Sequence, residues 1–338
     1  MTSIRERLAW ALIVALSLLA IGSMATVVLG GPLDPAAPPG PTMKTLDEVE
    51  PRTPISSLPF SITSSGSYYL TQTLLGSGDG IIVFADDVTI DLNGFTIQGN
   101  SGSDGIGLSG TRRNIVVSNG VVKQWQRGID FQACIRCRVE DVNIDGAQDS
   151  GIYLDSESIV RNVISTGANA GTGIFISGHD NRLIDTVASD NSIGVSVVGS
   201  RNYLSGITAM HNTANGIRIS GQFNRIEGAN VFDNGVGGAI PGIYVIGTHN
   251  AFINVTSSLN TGDGIQIASN SNEVINGTFH SNSGFGISTL VGTALNVVIK
   301  NTAASNGAWE YSFAGANTTG PIETSLTPLT NPWANISH

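Results

Sequence analysis

Arg218 and Tyr244 are the two residues whose types and spacing best suit chemistry in this sequence. They are outward residues of two successive strands in the repeat described below, so we expect them to lie side by side on one sheet. Elimination or epimerisation at a uronic acid needs a cation for the carboxylate and a group that moves a proton. We therefore predict Arg218 and Tyr244 as catalytic residues. The alternative is ordinary polar surface on a solvated sheet.

Five further residues are predicted to bind substrate, four in the same outward column and one two residues farther along its strand. Exposed aromatic rings on a rigid sheet suit flat sugar faces, although such rings also form ladders that only strengthen neighbouring strands. Two aspartates in this set could assist catalysis. Hydrolysis of a glycosidic bond needs a pair of carboxylates, and the next coils carry no further acid to support these two aspartates. We therefore expect elimination or epimerisation rather than hydrolysis. The five residues are Asp130, Tyr153, Phe175, Gln266 and, farther along, Asp155.

A repeat of about 22 residues must position these side chains. Glycines followed by an apolar residue recur at intervals of 21 to 26 residues. The first and third residues after each glycine are mostly apolar, and the second is mostly polar or aromatic. This alternation, with Asn, Ser and Thr in the returns, favours a strand and a turn over a helix. The repeat glycines are residues 80, 105, 128, 151, 173, 194, 216, 242, 264 and 286.

Asparagines recur in two registers of the repeat, where stacked amides can hydrogen-bond from coil to coil. We predict a structural role for them rather than a catalytic one, because Asn also tolerates the left-handed backbone of tight turns. Cys137 takes the first register in the third coil. The first register holds Asn114, Asn181, Asn202, Asn224, Asn250, Asn272 and Asn296, and the second holds Asn169, Asn191, Asn212, Asn234, Asn260, Asn282 and Asn306.

Composition excludes several classes of protein. The net charge is −10 and the pI is about 4.8, so we expect no nucleic-acid partner, which would need a basic face. Hydrophobic residues make up 41% of the chain, too many for a disordered protein. Cys134 and Cys137 are too few for a zinc site, and the histidines are scattered, so we predict no metal and no cofactor. The two cysteines form either a local disulfide or a pair of small buried residues.

The ends of the chain differ from the repeat. Residues 1–25 have the positive start, apolar run and small-residue cleavage site of a signal peptide, although an uncleaved anchor is the alternative. Residues 26–43 are a proline-rich linker. We predict that residues 44–75 are a cap with a short helix after Thr45, that residues 76–308 are the repeat body, and that residues 309–338 are an irregular capping tail. Caps are expected because open sheet edges promote aggregation.

The glycine-led coils, the asparagine registers and the segment ADDVTIDLNGFTIQG from Ala85 resemble right-handed parallel β-helix proteins. That superfamily includes pectate lyases, polygalacturonases, alginate epimerases and NosD-like periplasmic proteins. The resemblance covers roughly residues 76–308 and implies an all-β rod of about ten coils, with a sugar-binding groove on the outer face of the first strand. The catalytic motifs of polygalacturonases and alginate epimerases are absent, and the fold alone does not define the chemistry.

These observations predict a secreted or cell-envelope protein that binds an extracellular polysaccharide. The positive charge of Arg218 would suit an anionic polysaccharide. A uronate lyase or epimerase reaction is the predicted modification. The alternative is a non-catalytic structural or adhesive protein of the cell surface. After signal cleavage, no stable membrane insertion is expected.

Overall fold

The computed structural model describes residue 4 and residues 8–15, 51–100, 102–168, 170–324 and 331–338 of the chain. It divides into two units, Met1–Pro51 and Arg52–His338. In the first unit residues 8–15 form a helix with exposed side chains. Among the described residues, no helix has both the length and the apolar character that crossing a bilayer requires. The predicted cleavage site and the predicted helix after Thr45 lie outside the described residues.

The second unit consists of short strands. In chain order they are β1 (Thr53–Ile55), β2 (Phe60–Ile62), β3 (Gly66–Leu70), β4 (Leu74–Leu75), β5 (Ile81–Val83), β6 (Val88–Asp91), β7 (Thr96–Gln98), β8 (Ile106–Leu108), β9 (Arg112–Arg113), β10 (Ile115–Lys123), β11 (Arg127–Ile135), β12 (Arg138–Asp145), β13 (Ser150–Ser156), β14 (Ile159–Arg161), β15 (Ile164–Thr166), β16 (Thr172–Ile176), β17 (Arg182–Ile184), β18 (Val187–Ser189), β19 (Ile193–Val197), β20 (Tyr203–Ser205), β21 (Thr208–Met210), β22 (Ile217–Ile219), β23 (Arg225–Glu227), β24 (Asn230–Phe232), β25 (Ile243–Val245), β26 (Ala251–Ile253), β27 (Thr256–Ser258), β28 (Ile265–Ile267), β29 (Glu273–Ile275), β30 (Thr278–His280), β31 (Ile287–Thr289), β32 (Ala294–Ile299), β33 (Thr302–Ala304), β34 (Tyr311–Phe313), β35 (Ala316–Thr319), β36 (Ile322–Glu323) and β37 (Asn335–Ser337).

The strands form three parallel faces around one apolar core. Face 1 comprises β2, β5, β8, β11, β13, β16, β19, β22, β25, β28, β31 and β34. Face 2 runs from β1 and β3 through β6 to β35, and face 3 runs from β4 and β7 through β15 to β37. Strands β10 and β12 continue round the corner between faces 2 and 3, so these two faces share one hydrogen-bonded sheet. The prediction of a right-handed parallel β-helix is confirmed.

The predicted number of coils was slightly wrong. Twelve strands follow one another along face 1, so the rod has about twelve turns rather than ten. The extra turns lie in stretches that we predicted as caps, where Phe60 pairs with Ile81 and Tyr311 pairs with Ile287. These turns lack the leading glycine by which coils were counted. At about 4.8 Å per turn, the strands of face 1 extend over roughly 53 Å.

The alternation of the repeat assigns its faces as predicted. Ile152 and Leu154 are fully buried on either side of the half-buried Tyr153. Ile217 and Ile219 are likewise fully buried on either side of Arg218. Successive residues of a strand point to opposite sides, so each buried pair leaves one side chain on the outer surface of face 1. This places the predicted site residues on one solvent-facing column.

Each turn bends where a residue takes a left-handed backbone conformation. Between faces 1 and 2 these corner residues have φ values of 55–61°. Left-handed backbone costs roughly 1–2 kcal/mol for a residue with a side chain, so the corners need compensating contacts. The corner residues between faces 1 and 2 are Arg136, Glu157, Asp180, Arg201, Phe223, His249, Ser271 and Leu295.

The asparagine ladders supply those contacts. Each corner residue from Asp180 onward is followed by a ladder asparagine whose Oδ1 accepts the backbone N–H of the residue in the same register one turn earlier, which is Ser158 for Asn181 and an asparagine for the later ones. Asn181 N donates to Asn202 Oδ1 at 2.9 Å, for example, and the second ladder is built in the same way at the corner between faces 3 and 1. A third, short ladder of Asn301 and Asn335 was not predicted.

Two asparagines need correction. Asn114 is not a ladder residue, because it is itself an exposed corner residue with φ 57° whose amide donates to Asp87 Oδ1. Ile115 takes the register instead, one residue later, with its N–H 3.4 Å from Cys137 Sγ. Asn169 lies outside the described residues, and Ala168 N donates to the next ladder amide.

Candidate functional site

The predicted column on face 1 is present in the predicted register. Neighbouring strands pair Asp130 with Tyr153, Arg218 with Tyr244, and so on along the rod. Because the strands are parallel and in register, each column residue stands directly beside the next. From N- to C-terminal the column is Asp130, Tyr153, Phe175, Ser196, Arg218, Tyr244, Gln266 and Ser288.

Arg218 is an unpaired cation in the middle of this column. Its side chain is half-buried, and its Nε is buried without a hydrogen-bond partner. Among the residues that the structure describes, it forms no ion pair. A buried donor left unsatisfied costs free energy, roughly 1–3 kcal/mol, that an anionic ligand would recover. Arg218 is therefore free to bind a carboxylate beside Tyr244.

The aromatic residues of the column lie toward its N-terminal end. The Tyr153 and Phe175 ring centroids are 4.8 Å apart with an interplanar angle of 85°. The guanidinium carbon of Arg127 lies 5.3 Å from the centroid of Tyr153, on the side away from Phe175 in the strand order. Both rings are half-buried, so each exposes part of its surface to a ligand. The contacts also stabilise the strands, which agrees with the alternative reading of an aromatic ladder.

Gln266 is held by a residue that the sequence analysis missed. Its Nε2 donates to Asp263 Oδ2 at 3.0 Å, and the Ser288 hydroxyl donates to the same oxygen. The other oxygen, Asp263 Oδ1, accepts the backbone N–H of Phe285 at 2.8 Å. Asp263 is buried, so its main role is to satisfy the turn and orient the Gln266 amide.

Asp130 belongs to an ionic cluster. Arg127 Nη1 donates to Asp130 Oδ2 at 2.7 Å, and Arg127 Nε donates to Asp149 Oδ2 at 2.9 Å. The backbone N–H of Gln132 donates to Asp130 Oδ1 at 3.0 Å. Arg127 is therefore committed to two carboxylates, unlike Arg218.

Asp104 is the third carboxyl of this cluster, after Asp130 and Asp149, and the sequence analysis missed it. It lies just before β8, near enough to Asp130 and Arg127 for their charges to act on its carboxyl group. Burial raises the pKa of Asp104 to about 6, the negative charge of Asp130 adds to the rise, and Arg127 offsets part of it. A carboxyl group with a raised pKa beside a second carboxyl group is an arrangement found in acid–base pairs.

Asp155 does not lie beside Asp130. Phe131 pairs with Leu154 but Ile135 pairs with Ser156, so a bulge of residues 132–134 stands opposite Asp155. The Asp155 carboxylate accepts a hydrogen bond from the Ser156 hydroxyl at 3.0 Å. The carboxyl partner of Asp130 is Asp104 instead.

The bulge also shapes the surface beside the cluster. A disulfide joins Cys134 and Cys137 at its end, which decides between the two predictions made for these cysteines. A depression of about 260 Å³ adjoins it, and a smaller one of about 120 Å³ lies on the next strands. The first is lined by Leu108, Asp130, Gln132 and Ala133, and the second by Asp79, Ile82, Asp104, Gly107 and Leu108.

The ionic cluster around Asp130 and the Arg218–Tyr244 pair are well separated on face 1. Asp130 and Arg218 are four strand steps apart, which corresponds to about 19 Å. The structure thus aligns all the column residues that we predicted but does not gather them into one pocket. Asp104, Arg127 and Asp263 share one signal that the sequence offered, since each directly precedes a repeat glycine.

The chain is a right-handed parallel β-helix protein. The sequence model of a family described as periplasmic copper-binding protein (NosD) matches residues 62–202, which is less than half of the chain. No curated protein matches the sequence.

Solved structures share the fold at low sequence identity. The A-module of mannuronan C-5 epimerase AlgE6 from Azotobacter vinelandii has 13% identity and a TM-score of 0.57, over 84% of this chain and 89% of that one. A double mutant of the periplasmic alginate epimerase AlgG has 11% identity and a TM-score of 0.59, over 81% and 75%. The catalytic domain of a GH87 alpha-1,3-glucanase in complex with nigerose has 13% identity and a TM-score of 0.52, over 90% and 69%.

The copper named in the family description does not fit the residues present. Within the described parts of the chain, no group of three or more His, Cys, Asp or Glu side chains could hold a metal ion. Both cysteines are in the disulfide, and His179 and His211 each contact an aspartate, Asp180 and Asp233. We therefore assign no step to copper.

Proposed function

We propose that this protein binds a polysaccharide along face 1 and acts on its uronate residues at Arg218 and Tyr244. The observation that carries this proposal is the unpaired guanidinium of Arg218, with its buried and unsatisfied Nε, directly beside Tyr244. The names of the structures that share the fold support a polysaccharide ligand, since they include two alginate or mannuronan epimerases and a glucanase.

The chemistry follows from the two side chains. Arg218 binds the uronate carboxylate and so stabilises the negative charge that develops when the C5 proton leaves. Tyr244 transfers the proton. In β-elimination the C5–H and C4–O bonds break, a C4–C5 double bond forms, and the leaving oxygen is protonated. In epimerisation Tyr244 keeps the proton taken from C5 and later passes it to solvent, while a water molecule delivers a new proton to the opposite side of C5. Tyr153, Phe175 and Gln266 hold neighbouring sugars along the rod, and Asp130 and Asp155 add polar contacts.

The compartment is part of the proposal. A signal segment over residues 1–25 and a disulfide between Cys134 and Cys137 both suit an exported protein. The NosD family and AlgG are described as periplasmic. Mass spectrometry of the protein from the cell envelope and the medium tests this, and recovery of the full chain from the cytoplasm would contradict it.

The enzymatic test uses the purified protein and a panel of uronate polysaccharides. Elimination is read from the ultraviolet absorbance of the unsaturated product, and epimerisation from the proton NMR spectrum of the polymer. We expect Arg218→Ala to lower the rate by roughly 10²–10³, and Tyr244→Phe, which removes only the hydroxyl, by roughly 10²–10⁴. Arg225→Ala on face 2 is the matched control. No turnover of any substrate by the wild type would refute the enzymatic proposal.

A second candidate centre is the Asp104–Asp130 pair beside Arg127, because the raised pKa of Asp104 suits it to donate a proton and a second carboxyl group lies next to it. If this pair is the catalytic centre, Asp104→Asn abolishes turnover while Arg218→Ala only weakens binding. A rate that falls as the pH rises through about 6 would agree with protonated Asp104 as the acid.

The non-catalytic alternative is a surface protein that uses the rod as a spacer or adhesin. Binding on a glycan array without turnover would support a binding function. Absence of both binding and turnover would favour a purely structural role.

A further inference from the structure

A notch at the corner between faces 1 and 2 is separate from the face 1 column. Its aromatic wall is formed by Phe223 and His249, the corner residues of successive turns, whose ring centroids are 4.8 Å apart with an interplanar angle of 25°. Phe223 is 56% exposed. The two rings face each other, so Phe223 exposes its edge and its outer face to solvent at this corner.

The small side chain of Ala251 leaves space at the base of the notch. On face 2 the strand register places Ala251 between Arg225 and Glu273, so a methyl group stands between two long side chains. Arg225 folds back onto Glu227 of its own strand, with Nε–Oε2 and Nη2–Oε2 distances of 3.2 Å. The resulting depression is about 200 Å³ and is lined by Phe223, His249, Asn250, Ala251, Ser271 and Glu273.

The polar wall is a carboxylate with no partner. Glu273 is exposed, and its side chain forms no hydrogen bond or ion pair with the residues that the structure describes. A carboxylate accepts strong hydrogen bonds from hydroxyl groups and repels other carboxylates. An aromatic face opposite a free carboxylate, with the Ser271 hydroxyl beside it, suits a ring that is apolar on one side and bears hydroxyls at its edge.

We propose that Phe223, His249 and Glu273 bind a neutral pyranose ring at this corner. The ring packs on Phe223 and donates hydroxyl hydrogen bonds to Glu273. The site is independent of the reaction proposed for face 1, because it lies on another surface and its carboxylate disfavours a uronate.

The test is calorimetric titration of the full chain with neutral gluco-, galacto- and manno-tetrasaccharides. We expect at least one to bind, and Phe223→Asn to weaken its affinity at least tenfold. Asn is chosen because it removes the ring and tolerates the left-handed backbone. Glu273→Gln should weaken binding several-fold, since an amide oxygen is a poorer acceptor. The matched control is Leu295→Ala, an exposed residue of the same corner column outside the notch.

Three results would overturn the proposal. The first is no binding of any tetrasaccharide at a concentration on the order of 10 mM, well above a Kd of about 1 mM. The second is equal affinity of Phe223→Asn and wild type when circular dichroism shows both folded. The third is loss of binding in Arg218→Ala, which would place the neutral sugar on face 1. Failure of uronate turnover with retained tetrasaccharide binding would refute only the function proposed above.

Discussion

Replacing Asn224 with alanine tests how the ladders hold the rod together. Asn224 is buried, and its side chain makes four hydrogen bonds. Its Oδ1 accepts from Asn202 N at 2.9 Å and from Asn202 Nδ2 at 3.0 Å. Its Nδ2 donates to Gly199 O and to Asn250 Oδ1, both at 3.0 Å. Alanine removes all four bonds without changing the backbone conformation that the position requires.

Two estimates of the cost agree. Four lost bonds at about 1 kcal/mol each give about 4 kcal/mol. Alternatively, Asn202 N and Gly199 O stay buried but lose their hydrogen-bond partner, and each unsatisfied group costs about 2 kcal/mol. Asn202 Nδ2 keeps its bond to Gly178 O, and Asn250 Oδ1 keeps the one from the Asn224 backbone, so neither adds to this sum. We expect Asn224→Ala to lower the free energy of unfolding by roughly 3–5 kcal/mol.

The Asn224→Asp variant separates the two ends of the amide. Aspartate keeps an acceptor for Asn202 but turns an oxygen toward Gly199 O and Asn250 Oδ1, where the amide had donated. At neutral pH this variant should be about as unstable as Asn224→Ala or more so, because the aspartate either buries a charge or takes up a proton, and each costs free energy. The matched control is Asn230→Ala, an exposed position on face 3, which should change stability by less than about 0.5 kcal/mol.

The assay is urea denaturation at neutral pH followed by circular dichroism, with midpoints compared at a common slope. Stacked turns can unfold in parts, so one sharp transition in the wild type is the condition for converting midpoints into free energies. A difference between Asn224→Ala and wild type as small as that of Asn230→Ala would refute the reasoning, since the ladder amides would then only fill space.

Three further predictions concern stability. Asp104 has a pKa raised from 3.8 to about 6 in the folded protein, so the fold holds its proton more tightly and loses stability as the pH rises from about 4 to above 6. The free energy of unfolding of Asp104→Asn should therefore exceed that of the wild type by about 1–2 kcal/mol at pH 7, after allowance for solvent screening, and should not exceed it at pH 4. A variant that is no more stable than the wild type at either pH would contradict this. Phe252→Ala empties a fully buried site and should cost about 3–5 kcal/mol in urea denaturation, whereas a cost below 1 kcal/mol would mean that the core collapses to fill it. Gly264→Ala places a Cβ 2.6 Å from Gly286 O and should cost roughly 1–3 kcal/mol, and an unchanged melting temperature would show that the coils can move apart there.

The sequence by itself determined the architecture, because the information is local and repeated. The alternation after each repeat glycine places Ile217 and Ile219 inside and Arg218 outside, whatever the neighbouring coils contain. A nearly constant period then puts Arg218 beside Tyr244, since parallel in-register strands align equivalent positions. The two long asparagine ladders were predictable for the same reason, and the Asn301–Asn335 ladder was not, because the turn before it carries Gly277 in place of an asparagine.

Only the tertiary structure decided which side chains interact. Asp104 lies just before the strand preceding that of Asp130 and acts on it across the turn, although Asp104 is outside the outward column that the period identifies. The bulge at residues 132–134 beside Asp155 was likewise not predictable, because a one-strand irregularity leaves no periodic trace. Whether Arg127 is paired and Arg218 is free depends on which acids the neighbouring turns bring within reach. The period fixes where each backbone position lies, whereas hydrogen bonding and charge pairing depend on side-chain directions at the departures from that period.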